Sequence, residues 1–125
     1  MANNPLPLIY SCSGCSQVAQ LANRIAVRLD RGGLAEMSCI AGVGGGVKPL
    51  LHKARQARHI IALDGCALAC VRHCLQQAGV TDFEHILLSE LGLKKHQDEE
   101  YSTATEQQIA DMLQQRLQAL DPHSG

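Results

Sequence analysis

His59-Ile60-Ile61-Ala62-Leu63-Asp64-Gly65-Cys66 is the stretch that decides the fold. The short apolar run centred on Ile60 to Leu63 reads as a buried strand, of the kind found in parallel sheets covered by helices. Asp64-Gly65 turns the chain at its end, and a thiol, Cys66, stands at the turn. Ala67 to Ala78 then reads as helix, closed by Gly79 in the position helices favour at their C-termini.

The same alternation extends outward in both directions. Leu6 to Tyr10 is a first strand, and Ser11 to Gly14 carries turn-forming residues. From Ser16, the residues Val18, Leu21, Ala22, Ile25, Ala26 and Leu29 recur at helical spacing until Gly32-Gly33. Ala35 to Ala41 reads as a second strand running into a glycine-rich loop, Gly42 to Gly46. Pro49 suits the first turn of a helix whose apolar face includes Leu50, Leu51 and Ala54. Phe83 to Leu88 is a fourth strand. The polar stretch Lys94 to Tyr101 leads to a last helix, from about Thr105 to Leu120, with Thr105 and Glu106 as its start signal. Residues 121 to 125 are expected to form a frayed tail.

This βαβαβαβα pattern predicts a single α/β domain spanning residues 1 to 125, with its core between about 6 and 120. The expected architecture is a doubly wound parallel sheet of about four strands, in the flavodoxin-like order 2-1-3-4, with helices on both faces.

Composition narrows the function. The chain has 125 residues, enough for one three-layer domain, and 46% are hydrophobic. With 2% aromatics and no Trp, the core must come from Leu, Ile, Val and Ala. A net charge of -1, with no basic cluster, argues against nucleic acid or an anionic membrane as partner. Residues 1 to 5 lack the basic start and apolar run of a secretory signal, and no apolar stretch approaches the ~20 residues of a membrane span. A cytoplasmic location is expected. There, the six cysteines are reduced ligands or reactive thiols rather than a disulfide framework.

Five of these cysteines fall where a strand gives way to loop or helix: Cys12, Cys15, Cys39, Cys66 and Cys70. Parallel strands lie about 4.8 Å apart, close to the sulfur spacing that tetrahedral zinc requires with bonds of about 2.3 Å. The ends of strands 2, 1 and 3 supply Cys39, Cys12 and Cys66, with Cys70 a helical turn further on. Cys15 reaches inward by the Cys-x-x-Cys route. Helix N-termini after Cys12 and Cys66 are expected to lower thiol pKa and favour the thiolate. Gly44 and Gly45 would let the backbone pass close to the sulfurs and donate amides to them.

The segments Cys12-Ser13-Gly14, Met37-Ser38-Cys39-Ile40-Ala41-Gly42-Val43-Gly44-Gly45-Gly46-Val47 and Leu63-Asp64-Gly65-Cys66-Ala67-Leu68-Ala69-Cys70 together resemble the DGC-domain family, over about Leu8 to Lys95. That family takes its name from the Asp-Gly-Cys triplet and is regarded as zinc-binding because it carries four potential cysteine ligands. The resemblance implies Cys12, Cys39, Cys66 and Cys70 as that set, leaves Cys15 as an extra thiol, and supplies a site without a reaction.

The expectation is therefore a zinc protein with a four-cysteine site, structural or serving as metal carrier or sensor. An iron–sulfur cluster on the same thiolates is the alternative cofactor. Four thiolates leave no open position, which disfavours hydrolysis at the metal. The main chemical rival is a thiol-disulfide oxidoreductase using Cys12 and Cys15. A phosphatase or arsenate reductase built on Cys66 and Arg72 has the right Cys-x5-Arg spacing, but residues 67 to 71 favour helix over a phosphate-wrapping loop. Gly42 to Lys48 fails the nucleotide-loop pattern, because Pro49 follows Lys48. Cys74 reads as a small buried hydrophobe. Asp64 reads as a cap for the following helix or a partner of loop amides. The histidines at 52, 59, 73, 85, 96 and 123 show no metal spacing, and only His52 and His73 are placed near the site edge.

Overall fold

A computed structural model describes residues 6–93 and 101–120. The two most apolar runs become the two central strands, β1 (Leu8–Ser11) and β3 (Ile60–Asp64), in which every residue is buried. The edge strands β2 (Glu36–Met37) and β4 (Glu84–Leu87) keep partly exposed residues. All pairings are parallel and the order is β2-β1-β3-β4, the arrangement expected from the alternation of elements. The β1–β3 register sets Tyr10 against Ala62 and Ser11 against Leu63, so the two strands end side by side.

Among the described residues, five α-helices surround the sheet: α1 (Gln17–Arg31), α2 (Ile40–Gly44), α3 (Lys48–Ala54), α4 (Cys70–Gln77) and α5 (Thr103–Leu120). The connection through α1 crosses the sheet in the opposite direction to those through α2–α3 and α4. Right-handed crossovers therefore put them on opposite faces. Accordingly α1 packs with α5, while α2 packs with α3 and α4. Among the described residues, no helix is long and apolar enough to cross a membrane.

Helix α1 is specified locally. The Ser16 hydroxyl accepts the Ala19 N–H at 3.3 Å, and the stripe Val18, Leu21, Ala22, Ile25, Ala26 and Leu29 is buried. Helix α5 is started by Ser102, whose Oγ accepts the Thr105 N–H at 3.2 Å, rather than by Thr105 and Glu106. Glu106 instead docks the helix: its carboxylate accepts from Arg24 Nε at 2.7 Å and Arg28 Nε at 2.9 Å, both on α1. Burial pushes the Glu106 carboxyl up, but the two arginines outweigh it and hold the group below the ordinary glutamate range.

Two stretches differ from the sequence reading. The second strand stops at Met37, and the expected strand end and glycine loop contain a helix, α2, with Cys39 at its N-terminal boundary. Packing explains it. A Cβ at Gly42 would fall 1.9 Å from Leu50 Cδ1, and one at Gly44 would fall 3.1 Å from the Cys74 sulfur. Glycine thus lets α2 lie close to α3 and α4, and tertiary contact overrides weak helix propensity. Second, the helix after β3 begins at Cys70 rather than Ala67. Ala69 stands before it in the left-handed region, φ 51 and ψ 53, and breaks any continuous helix from Ala67. The stretch 94 to 100 of the polar connection and the tail 121 to 125 lie outside the described residues.

Candidate thiol site

Cys12 follows β1 directly. Its N–H donates to Leu63 O at 3.1 Å, and its sulfur accepts the Gly65 N–H at 3.2 Å. Gly65 itself cannot be another residue without movement. A Cβ there would lie 2.8 Å from the Val18 carbonyl carbon and 3.0 Å from the Ala19 nitrogen. The glycine of Asp-Gly-Cys is where the loop after β3 passes against the backbone of α1.

Asp64, 1% exposed, closes the other side of this loop. Its Oδ1 accepts the Val71 N–H at 2.9 Å, and its Oδ2 accepts the Arg72 N–H at 3.2 Å. The carboxylate therefore satisfies two amides in the first turn of α4 from a position before the loop. Oδ2 also meets His85 Nε2 at 2.8 Å. His85 shows no metal spacing in the sequence and is not among the histidines placed near the site edge there. The structure makes it a partner of the buried carboxylate, with its side chain 20% exposed. The signal lies in sheet register: His85 stands opposite Ala62, two residues before Asp64 on the same strand.

Cys12, Cys15, Cys66 and Cys70 line one cleft of about 170 Å³ at the carboxyl edge of β1 and β3, with Asp64 among its walls and Leu68 at its side. Cys12 is buried and Cys66 half-buried, whereas Cys15 and Cys70 are exposed. One expected thiol is missing from the cleft walls, and Cys74, read as a buried hydrophobe, also lies outside them. Cys39, read as the end of strand 2, is exposed at the start of α2 and does not line the cleft. Cys74 is half-buried, its sulfur against Gly44, so the glycine does meet a sulfur, though not one of the cleft. Gly45 abuts only the Ala41 carbonyl of its own turn. His52 and His73 are exposed and away from the cleft walls. Among the described residues, no group of three or more His, Cys, Asp or Glu side chains is arranged to hold a metal ion as it stands. The thiols fit a soft ion in kind, and an ion would have to draw them inward.

The electrostatics correct a second expectation. Burial pushes the Cys12 thiol up to about 11. The Gly65 N–H opposes this, and Asp64, Cys66 and Cys70 reinforce it. The helix end expected to lower it begins only at Gln17, with Ser16 already supplying its cap. Burial, with Cys70 and Asp64 nearby, also raises the Cys74 thiol. The same Asp64 bears on the Cys66–Arg72 pair. Residues 66 to 69 are loop and not helix, yet the carboxylate occupies amides that a phosphate loop would turn toward its oxyanion.

A four-stranded parallel α/β sheet with thiols and a buried carboxylate gathered where its central strands end defines the class. The chain belongs to the DGC-domain family, whose model matches residues 8–113. One relative, the anaerobic and virulence modulator AnvM of Pseudomonas aeruginosa, is 55% identical over 118 residues, covering 94% of this chain and 87% of the relative. No solved structure matches the chain.

Proposed function

We propose that this protein is a regulatory thiol protein whose cleft binds a zinc ion, with an iron–sulfur cluster as the alternative occupant. One observation carries the reading: Cys12, Cys66 and Cys70, from two separate strand ends, line a single cleft. The fourth donor is Cys39 in the set that family resemblance implies, whereas Cys15 already lines the cleft. When bound, such an ion exchanges thiol protons for a charge-compensated thiolate cage.

The elevated Cys12 thiol supports this over the dithiol oxidoreductase. A buried thiol held protonated to about pH 11 is a poor nucleophile. A cation in the cleft would compensate the charge of its thiolate. A sulfur-only donor set favours a carrier or sensor over a hydrolase, and the similarity to a relative named as a modulator supports a regulatory role. Reduced thiols of this kind belong in the reducing cytoplasm.

Elemental analysis of protein purified without added metal tests the reading. About one equivalent of zinc or a cluster is expected in the wild type and in Cys74→Ser, and none in Cys66→Ser. Equal metal in the two variants would contradict it.

A further inference from the structure

Asp64 has a partner that the thiol reading leaves unused. Its carboxylate sits 1% exposed between the strand that delivers it and the helix whose amides it holds. In that closed position its partners are the Val71 amide, the Arg72 amide and His85 Nε2 at 2.8 Å. Both carboxylate oxygens already accept backbone N–H groups, so the contact is assigned with His85 Nε2 as the donor.

The loop this carboxylate spans is the one that bears Cys66 and leads into Cys70. Within it, Ala69 N–H donates to Cys66 O at 3.0 Å and Gly65 O accepts from Ser89 N–H at 3.0 Å. Ala69 holds a left-handed backbone that favours glycine. The shape of the loop therefore depends on its two ends being clamped, and Asp64 is the clamp: it starts the loop and grips residues 71 and 72 beyond it. His85, from the neighbouring strand β4, fixes the carboxylate in the orientation that reaches both amides.

We propose that His85 is the positioning residue of the cysteine loop, acting through Asp64 to set the placement and accessibility of Cys66 and, behind it, Cys12. The inference builds on the reading of the cleft as a thiol site, but its test needs no metal. Without the imidazole, the buried carboxylate loses one of its three partners, which favours side-chain positions turned toward solvent, in which the two amides at the start of α4 are released. The Gly65 amide then no longer sits fixed on the Cys12 sulfur.

The test is pulsed alkylation of the reduced, metal-free protein with iodoacetamide, read cysteine by cysteine by mass spectrometry. His85→Phe is expected to speed labelling of Cys66 and Cys12 roughly tenfold, the scale of losing one charge-assisted hydrogen bond. Cys15 and Cys39 should react at wild-type rates. His85→Gln, which keeps an N–H donor, should restore most of the protection. Unchanged Cys66 and Cys12 rates in His85→Phe would overturn the proposal. So would a uniform rise at all cysteines with a matching fall in Tm, which marks a purely structural role. Absence of zinc in the wild type would sink the metal reading and leave this result standing.

Discussion

The sulfur of Cys12 accepts the backbone N–H of Gly65 at 3.2 Å, joining the end of β1 to the turn after β3. This contact ties a buried thiol to the loop that carries Cys66, and it gives the thiol a pH signature. Folding raises Cys12 from 9.0 to about 11. The associated stability is fully present below pH 9.0 and is lost as pH rises through about 11, because the unfolded thiol ionises first. Urea unfolding across that window should show wild type losing more stability than Cys12→Ala. Cys74 and Tyr10 shift in the same direction, so the difference between the two proteins is the quantity to read.

Gly65→Ala is expected to destabilise by about 3 kcal/mol, because its new methyl meets the α1 backbone, which cannot rotate away. Gly42→Ala should cost about 1 kcal/mol, since Leu50 Cδ1 is the far end of a flexible side chain. Chemical denaturation of both variants checks the order, and a larger loss at Gly42 would be incompatible with this packing.

Ala69 is the only non-glycine with positive φ among the described residues. Ala69→Gly removes left-handed strain at some cost in unfolded-chain entropy, for a net gain of about 0.5–1 kcal/mol. Ala69→Val should lose stability. Thermal melts of both variants decide, and a lower Tm for the glycine variant would mean the loop is unstrained.

Glu106 joins α5 to α1 through Arg24 and Arg28. Its lowered carboxyl contributes stability above the ordinary glutamate value of 4.5 that is lost as pH falls through the folded value. Glu106→Gln should lose about 2 kcal/mol at neutral pH and nothing at strongly acid pH. Parallel stability curves for the two proteins over the whole acid range would exclude this role.

Sheet order and the meeting of Cys12 with Cys66 and Cys70 are legible in the sequence because apolar runs and glycine punctuation mark parallel strands and their ends. Ile40 to Val43 misleads, since an apolar run beside glycines looks like a strand entering a loop. Only the contacts at Leu50 and Cys74 show why glycine is needed inside α2. Reading Cys39 as the end of strand 2 assumes a strand that runs on to Ala41, whereas β2 stops at Met37 and the last bond to the sheet is Ser38 N–H to Ile9 O. Ala67 to Ala69 has helical composition, and the cap on α4 comes from Asp64, too far back for local propensity to reveal. His85 carries no motif at all and is found only through strand register.

Cobalt(II) titration of the reduced, metal-free protein is the most direct measurement of thiolate binding in the cleft. The account predicts sulfur-to-cobalt charge-transfer absorption that saturates at about one equivalent and disappears in Cys12→Ser, Cys66→Ser and Cys70→Ser. A spectrum of oxygen-ligated cobalt, or thiolate bands that survive all three substitutions, would contradict it.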